Sequence, residues 1–564
     1  MFLVHGSVFS GLSRKTTFAF NAPYMETSAY ARPSAFLPGS RPRTPPAYRV
    51  CDGMTEAVLD FMIVFAPWAF GATERWSIWT LNIAAYALGG LLFAKWLIRW
   101  RAGYRPMRWG DGGAKERSRP TGDGSGETQS AEHGAWSGGE RERTASKGVT
   151  VSLAALTVLV LAWCLTSALN ARSTFIYREM AFVPRDCVAW LPHSYDSRAT
   201  WQAFWMYLGL ALTFWAARDW LLGQTARERR EARGEAREQS AEGAGGVRPS
   251  AFPMRLQRLL WVLCMNGALL ALEGILQRLS GTNKLLWLVQ PVINQSGELQ
   301  FGPYAYRSNA AQYLNLLWPV CLGFWWTLRR ATRGSGRAGG RVGGGPQVLL
   351  LPCAVLMAAA PIISVSRGGA IVAWAEILAA LALLMFVQRK GHWLVRLGII
   401  LLFAASLALA GHLGWEKLQP RLKTLFSDDL GGRVEIYRNA QQMARDFPWL
   451  GTGPGTFPWI YHLYRASAQS EWAAYAHNDW LETRITFGGI GFAMILAALA
   501  SALLRWFGGG GIEAHWLFVS MIWLALAGCL LHARFDFPFQ IYSTLALFLH
   551  LSAIVFCLSR GDNR

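Results

Sequence analysis

The 564-residue sequence lacks the residue patterns of common metal and nucleophile sites. It contains no Asp-x-Asp pair, no group of His, Cys and Asp at metal-ligand spacing, and no Gly-x-Ser-x-Gly elbow. Two adjacent aspartates, Asp428 and Asp429, stand alone. We therefore expect no metal site and no bound cofactor, and nothing indicates a hydrolase built on a serine elbow.

Features of disulfide-bonded and secreted proteins are also missing. Most of the eight cysteines lie inside apolar segments, and only Cys187 falls in a predicted external loop, so we expect no disulfide. The first fifty residues are rich in Pro, Ser and Arg, and they lack the apolar core and cleavage site of a signal peptide. We interpret residues 1–54 as a disordered cytoplasmic extension; the alternative is a mis-assigned start of the chain.

Apolar and aromatic residues dominate the chain. Hydrophobic residues make up 52% of it, with 28 Trp and 30 Phe. Apolar runs of about 17–22 residues recur, each long enough to cross roughly 30 Å of hydrocarbon. We therefore predict an all-α polytopic membrane protein whose transmembrane domain, residues 55–558, contains about twelve helices. The runs cover 55–71, 77–98, 149–169, 200–217, 257–278, 309–328, 347–363, 370–388, 394–413, 486–504, 515–531 and 537–558.

The net charge of +20 does not indicate nucleic acid as a partner, because the distribution of Arg and Lys among the loops indicates membrane topology. Residues 99–148 carry ten Arg and Lys, 218–258 nine and 329–346 five. These loops fall on one side if twelve helices alternate, and positive loops stay cytoplasmic. We predict that both termini are cytoplasmic, including the 559–564 tail. The long segment 414–485 then faces the periplasm or the cell exterior.

The predicted loops differ in character. The cytoplasmic loops 99–148 and 218–255 and the Gly-rich stretch before residue 346 are of low complexity, which is typical of flexible spacers, although 227–246 has the composition of a short charged helix. The periplasmic loop has a helical pattern over 434–447, which Pro448 ends. A turn rich in Gly and Pro follows, and we predict that helix resumes from Trp459 into the membrane.

A glycine-rich stretch in that turn, Gly-Thr-Gly-Pro-Gly-Thr-Phe at 451–457, has two interpretations. It could cradle phosphate, but it lacks the Lys-Ser/Thr ending of a nucleotide loop and faces the side without ATP. A tight turn between two helices is the better interpretation.

Three arginines lie on the predicted outer side, against the positive-inside bias. Arg367 stands in the short hairpin Ser-Val-Ser-Arg-Gly-Gly, Arg433 begins the periplasmic helix, and Arg307 precedes the sixth apolar run. An arginine at a membrane edge often only places its charged group in water and binds nothing. Beside Gly, Ser and Asn, however, the three favour an anion held at the outer surface, because guanidinium binds phosphate with two parallel hydrogen bonds.

His477 lies where the periplasmic segment enters the membrane, before Asn478 and Asp479. Taken alone, such a histidine is most often an ordinary hydrogen-bonded residue. A nearly neutral imidazole whose tautomer is fixed by polar neighbours is also the usual general base at pH 7. The residues themselves leave both interpretations open.

Four segments together resemble the O-antigen ligase and polymerase family. They are "SRGG" at 366–369, "GGRVEIYRNAQQMARDFPWLGTGPGTF" at 431–457, "AHNDWLETRITFGGIG" at 476–491 and "LLHARFDFPFQIYSTLALFLHL" at 530–551. The resemblance covers roughly residues 300–558, and the order and spacing of the segments carry it. The external segment 170–198 has no chemistry that we can assign.

The resemblance implies a fold like that of the GT-C class and a metal-independent glycosyl transfer at the periplasmic face. The donor would be a glycan on undecaprenyl diphosphate, the acceptor lipid A-core or another glycan, and membrane lipids would surround the protein. Arg367 and Arg433 match positions that hold the diphosphate, and His477 matches the position that activates the acceptor hydroxyl. We assign Arg307 to diphosphate binding as well, from its place on the predicted outer side. The supporting residues are assigned as Asn478, Asp479, Ser366 and Asp536.

Three functions remain open at this point. The first is a ligase that moves a finished glycan onto a surface acceptor, and the second is a polymerase of lipid-linked repeat units. The third is a twelve-helix secondary transporter, which should carry charged residues in mid-membrane. Only Glu273 and Glu376 are clear candidates for that role, and the polar groups concentrate at the outer face.

Overall fold

The computed structural model describes residues 44–108, 129–225, 228, 252–333, 345–388, 393–423, 433–465, 474–508 and 512–558. The predictions made for residues 1–43, for 109–128, for the charged helix and most of 226–251, for the Gly-rich stretch at 334–344 and for the 559–564 tail lie outside the described residues. So do Asp428 and Asp429.

The described residues are mostly α-helical, and strands are short. The helices are α1 (Pro46–Trp68), α2 (Arg75–Arg101), α3 (Gln129–Leu169), α4 (Ser197–Leu222), α5 (Met254–Ser280), α6 (Arg307–Arg333), α7 (Leu350–Ile363), α8 (Arg367–Val387), α9 (Trp393–Lys423), α10 (Arg433–Asp446), α11 (Phe457–Ile460), α12 (Asp479–Leu503), α13 (Ile512–His532) and α14 (Tyr542–Leu558).

Within the described ranges, eight helices are long and apolar enough to cross a membrane. They are α2, α3, α5, α7 with the helical turn before it, α8, α9, α12 and α13. Each of the twelve predicted runs overlaps one of the helices α1–α9 and α12–α14. The chain is therefore an all-α polytopic membrane protein in its coarse architecture, and the count of twelve crossings stays a prediction.

Helix α6 lies at the centre of the bundle and packs against α5, α7, α8, α13 and α14. Its large side chains, such as Leu314, Trp318 and Phe324, are almost completely buried, because neighbours surround it on several sides. Helix α4 packs against α2, α3 and α14 on one flank. The central position of α6 places its first residue, Arg307, at the middle of one end of the bundle.

Two small β-ribbons mark the two ends of the bundle. Strands β1 (Met107–Arg108) and β4 (Gly223–Gln224) pair antiparallel and join the segments that follow α2 and α4. Strands β2 (Ser173–Ile176) and β3 (Ala181–Pro184) form a hairpin between α3 and α4. The two basic loops thus begin at the same end, as alternation requires, and which end is cytoplasmic stays a prediction.

Several helices extend beyond their predicted limits. Helix α1 starts at Pro46, inside the predicted disordered extension, because Asp52 on its second turn forms buried ion pairs with Lys95 and Arg255. Helix α3 starts at Gln129, inside the predicted 99–148 loop, and α9 runs to Lys423, inside the predicted 414–485 loop.

The periplasmic segment follows the prediction in its first half and departs from it in the second. The helix predicted over 434–447 is α10. A helix resuming from Trp459 into the membrane is wrong, because residues 474–478 are irregular and α12 begins only at Asp479. His477 has a φ of 50°, which no right-handed helix accommodates, and the Asn478 side chain caps α12 by accepting from Leu481 N at 3.2 Å.

The glycine-rich turn at 451–457 packs against the kink of α12. Gly451, Gly453 and Gly455 have positive φ values, and Gly488 on α12 has a φ of 66°. Gly453 N donates to the Thr486 carbonyl at 2.9 Å, and Thr452 N donates to Ile485. These amides are used within the protein, which agrees with a tight turn and not with a phosphate loop.

Candidate functional site

The hairpin between α7 and α8 presents Arg367 at the outer end of the bundle. Val365 turns the chain with a φ of 60°, and Ser366 caps α8 by accepting from Gly369 N at 3.1 Å. A Cβ at Gly368 would come within 2.9 Å of the His532 ring, so glycine lets this turn approach the end of α13 closely. Arg367, the first residue of α8, is thereby fixed beside the segment that follows α13.

Arg433 ties α10 to two other segments. Its guanidinium donates to the Phe535 carbonyl at 2.6 Å and to the Tyr306 hydroxyl at 3.3 Å. Burial lowers the pKa of Arg433, but the charge of Asp536 and the hydroxyl of Tyr306 outweigh it and raise that pKa above its ordinary value. Arg433 is therefore a permanent cation held in one position.

These arginines line one cavity of about 290 Å³. Its described lining residues are Tyr306, Arg307, Ser308, Ser366, Arg367, Gly368, Ile371, Arg433, Tyr437, Phe535 and Asp536. Three guanidinium groups and one carboxylate stand among them, which leaves a formal charge of +2. A pocket with this balance attracts an anion.

Arg367 differs from the other two arginines in its hydrogen bonds. Its Nη1 atom is buried and has no hydrogen-bond partner within the described part of the chain. Arg307, in contrast, donates to the Glu298 carbonyl. A buried guanidinium nitrogen without a partner is energetically costly, which points to a group that is supplied from outside the chain.

Hydrogen bonds connect two serines of this cavity to its acidic residue, Asp536. Ser366 donates to Ser308 at 3.1 Å, and Ser308 donates to the Asp536 carboxylate. Asp536 is only 3% exposed and lies in the loop between α13 and α14. Burial raises its pKa, but the hydrogen bond from His477 and the charge of Arg433 outweigh burial and hold the pKa well below its usual range.

His477 stands on the other side of this carboxylate. Its Nδ1 lies 3.2 Å from Asp536 Oδ1, and its side chain is 25% exposed. The backbone is held by Tyr437, whose hydroxyl donates to the His477 carbonyl at 2.8 Å. An ionised Asp536 can only accept, so Nδ1 carries the proton and Nε2 is left to accept one.

The neighbours of His477 in the chain do not fix its tautomer, contrary to the hypothesis drawn from the sequence. The Asn478 side chain caps α12. Asp479 accepts from Phe539 N at 2.7 Å and from the Gln540 amide at 3.0 Å, so its carboxylate fastens the 533–540 loop to α12. The orienting contact comes from Asp536, which is 59 residues away in sequence.

Aromatic residues surround the histidine. Phe537 stacks on Tyr475 with 4.3 Å between ring centroids and on Tyr306 with 5.5 Å, and the His477 ring meets its face edge-on at 4.8 Å. Sequence patterns gave no reason to select Tyr306, Tyr437 or Phe537. Their signal was present only as aromatic residues beside the selected positions, in "YAYRSN", "EIYRN" and "FDFPF".

The described residues contain no group of three or more His, Cys, Asp or Glu side chains that could hold a metal ion. The cationic groups at the cavity are arginines. An anion in this cavity would therefore meet guanidinium and hydroxyl donors of the chain itself.

Comparison with known proteins gives one family. The family model described as O-antigen ligase matches residues 352–496, which include Arg367, Arg433 and His477. No curated protein matches the chain. The matched region begins in α7 and ends in α12, so it contains most of the segments that carried the resemblance in the sequence.

Proposed function

Since the chain carries an O-antigen ligase domain over residues 352–496, we propose that it transfers a glycan from undecaprenyl diphosphate to an acceptor hydroxyl at the periplasmic face of the bacterial inner membrane. Arg367 and Arg433 hold the diphosphate, and Arg307 lines the same cavity. His477 takes the proton of the acceptor, and Asp536 orients it.

The observation that carries this proposal is the buried Nη1 of Arg367, which has no hydrogen-bond partner among the described residues. It lies in a cavity of charge +2 beside the His477–Asp536 pair. A lipid diphosphate is a leaving group on which negative charge develops as the glycosidic bond breaks. Fixed cations stabilise that charge without reorganising during the reaction, an effect often worth about 3–4 kcal/mol for one donor.

The chemical step involves the cationic cavity on one side of Asp536 and His477 on the other. The acceptor oxygen attacks the anomeric carbon, and the bond from that carbon to the diphosphate oxygen breaks with its electron pair leaving on undecaprenyl diphosphate. The hydroxyl proton passes to His477 Nε2, and the imidazolium that forms faces the ionised Asp536. Attack opposite the leaving group inverts the configuration at the anomeric carbon.

Ligase and polymerase reactions share this step, and the acceptor distinguishes them. We place the ligase first and the repeat-unit polymerase second. A secondary transporter is less favoured, because the family match is to a ligase. Glu273 and Glu376 do have carboxylate oxygens that are buried without a hydrogen-bond partner among the described residues, but both lie apart from the residues that line the cationic cavity.

Reconstitution tests the proposal. The protein in liposomes, supplied with undecaprenyl-diphosphate glycan and an acceptor glycolipid, should release one undecaprenyl diphosphate for each glycan transferred. Release without transfer would indicate a hydrolase and contradict the proposal. In cells, deletion of the gene should leave long lipid-linked chains if the protein is a ligase, and a single-repeat product if it is a polymerase.

Topology gives a second test, because the proposal needs the site on the outer face. A reporter that is active only in the cytoplasm should work when fused after residue 240 or 340 and should fail near residue 460. Activity at 460 would overturn the orientation, and the proposed site with it.

A further inference from the structure

The loop between α5 and α6, residues 281–300, presents apolar side chains on its outside. Val292 is 90% exposed, Leu288 78% and Ile293 74%. Single exposed apolar residues are normal on a protein surface, but a contiguous patch of them marks a contact surface. The exposed large apolar residues of this apolar loop, as we call it, are Trp287, Leu288, Val289, Val292 and Ile293.

Side-chain amides take up several backbone carbonyls of the apolar loop. The Gln300 amide is buried and donates to the Asn283 carbonyl at 3.1 Å and to the Asn294 carbonyl at 2.8 Å. The Gln277 amide, on the last turn of α5, donates to the Lys284 carbonyl at 3.2 Å. Backbone groups at the edge of a membrane need such partners within the chain, because hydrocarbon supplies none.

The apolar loop continues a lipid-facing surface of α5. Leu272, Leu276 and Leu279 are exposed at helical spacing and form a stripe along one face of α5. Helix α5 is one of the described helices that can span a membrane, so this stripe lies against lipid. Where the stripe ends, Trp287 Nε1 donates to the Ser280 hydroxyl at 2.9 Å, which folds the loop back onto the end of α5. The exposed apolar surface therefore runs without a break from the helix into the loop.

The charge and residue types of the apolar loop suit the membrane interface. Residues 281–297 contain no acidic residue and one basic residue, Lys284. Tryptophan is enriched where headgroups meet acyl chains, and a lysine there can keep its charged end among the headgroups. A second copy of the chain would also cover exposed apolar residues, but the connection to the lipid-facing stripe of α5 favours lipid.

The apolar loop is tied to the rim of the cationic cavity by two arginines. Arg278, near the end of α5, donates to the Gly297 carbonyl at 3.1 Å and to the Ser364 carbonyl at 3.0 Å. Ser364 belongs to the hairpin between α7 and α8, which carries one of the cavity arginines. The Glu298 carbonyl accepts from Arg307, which lines the cavity itself. The position of the loop therefore affects the position of the rim.

We propose that the apolar loop inserts Leu288, Val292 and Ile293 into the leaflet at the cavity end of the bundle, at the boundary between headgroups and acyl chains. The partner of this surface is the lipid bilayer. Since Arg278 and Arg307 join the loop to the rim, the contact holds the cationic cavity at the depth of the headgroups. This contact does not depend on the reaction proposed above.

Nitroxide labels at two positions of the loop test this contact in lipid nanodiscs. The labels are placed by Val292→Cys and, as the matched control, by Glu298→Cys, because Glu298 is exposed and pairs with Lys417. Both variants also carry Cys51→Ser and Cys187→Ser, since the other six cysteines are buried. Collision of each label with oxygen, which concentrates in hydrocarbon, is compared with collision with a water-soluble nickel chelate. The label at 292 should favour oxygen, and the label at 298 should favour the nickel chelate.

A third reagent tests the depth of the rim. Nanodiscs that contain a lipid with a nickel-chelating headgroup carry the metal at headgroup depth. This lipid should broaden the spectrum of the label at 298, because the Glu298 carbonyl contacts Arg307 at the cavity. A spectrum unchanged by that lipid would contradict a cavity held at the headgroups.

Two results at residue 292 would overturn the proposal. A label that favours the water-soluble nickel chelate would place the loop in water. A label that collides little with either reagent and shows spin–spin broadening would place the loop against a second copy of the chain. If Val292→Cys does not fold, Leu288→Cys takes its place with the same expected preference for oxygen. None of these readouts requires glycan transfer, so a failure of the proposed function would leave the result at 292 interpretable.

Discussion

Two clusters of buried charge lie at opposite ends of this bundle, and they are built differently. At the end formed by the loops after α2 and α4, Lys95 lies 3.3 Å from Asp52 and 3.1 Å from Asp219. Arg255 contacts Asp52 at 2.6 Å and Glu228 at 3.1 Å. Each of these cations has two carboxylate partners.

At the other end the cations lack such partners. Neither Arg367 nor Arg433 has a carboxylate oxygen within 4 Å among the described residues, and Arg433 donates to a carbonyl and a phenol. Asp536, the acid of this cluster, is engaged by Ser308 and His477.

The difference separates a structural use of charge from a binding use. Cations that are matched with carboxylates join α1, α2, α4 and α5. With Arg99, which contacts Asp219 at 2.8 Å, three cations balance Asp52, Asp219 and Glu228 and leave no net charge for a ligand. Cations that are unmatched inside a cavity remain available to an anion. Substitutions in one cluster or the other should therefore show whether stability or glycan transfer is lost.

The largest effect is expected for His477. General-base catalysis contributes about 10²–10⁴-fold, so His477→Ala should reduce transfer by that factor. Donor binding should stay nearly unchanged, because the arginines hold the diphosphate. Initial rates and donor binding measured on the same preparation check both statements.

His462 is the internal control for this variant, since it lies fifteen residues earlier in the periplasmic segment. His462→Ala should be nearly silent. A His477→Ala protein with the wild-type rate would show that His477 is not the general base. One that lost donor binding would make His477 a diphosphate ligand.

Arg367 should have the next largest effect. Arg367→Ala removes a fixed donor to the developing charge, which typically costs about 10²–10³-fold in rate. Arg367→Lys should also lose most activity at normal expression, because lysine keeps the charge but not the planar fork. Arg438→Lys, at an exposed position of α10, is the matched control. Near wild-type transfer by Arg367→Lys would refute bidentate binding at this position.

Asp536→Asn should reduce transfer by about 10–100-fold, because one hydrogen bond to a charged group contributes about 1.5–3 kcal/mol. The same variant has a signature in stability. The pKa of Asp536 is depressed in the folded protein, so its contribution to stability is present above the unfolded pKa of about 4 and is lost as pH falls below it.

The melting temperature of the wild type should therefore fall more steeply between about pH 4 and pH 2 than that of Asp536→Asn. Parallel acid profiles for the two proteins would show that Asp536 is not held ionised by His477 and Arg433. The transfer rate of Asp536→Asn at pH 7 is the independent readout.

The smallest effect on transfer is expected in the paired cluster. Lys95→Met removes one of two cations from each buried aspartate, since Asp52 keeps Arg255 at 2.6 Å and Asp219 keeps Arg99 at 2.8 Å. Breaking a buried ion pair costs up to about 3–5 kcal/mol of stability. The rate per folded molecule should stay at the wild-type value. Arg258→Met, which breaks the half-exposed pair with Glu56, should change stability by less than about 1 kcal/mol. A Lys95→Met protein that folds normally but loses transfer would show that the two ends are coupled. It would contradict the division into structural charges at one end and binding charges at the other.

The helices and the arginines were accessible from the sequence for simple physical reasons. A membrane requires long apolar runs, so each predicted run overlaps a helix. Arg367 and Arg433 were conspicuous as cations on the predicted outer side, and they do line one cavity with Arg307 and Ser366.

The residues that contact them could not be predicted from the sequence, because they come together only in the folded chain. Asp536 reaches His477 across 59 residues, and Tyr306 reaches Arg433 across 127. The left-handed backbone at His477 has no sequence signature such as glycine, so a helix was predicted where the chain is irregular. The apolar cavity lined by α3, α4, α12 and α14 is built from four helices, and no single helix pattern shows it.

The central claim is that unmatched arginines bind the lipid diphosphate. It is tested most directly by measuring the affinity of undecaprenyl diphosphate, without any glycan, for the wild type, Arg367→Ala and Lys95→Met in lipid nanodiscs. Arg367→Ala should raise the Kd by about tenfold or more, and Lys95→Met should leave it unchanged. A Kd for Arg367→Ala equal to that of the wild type would contradict the account.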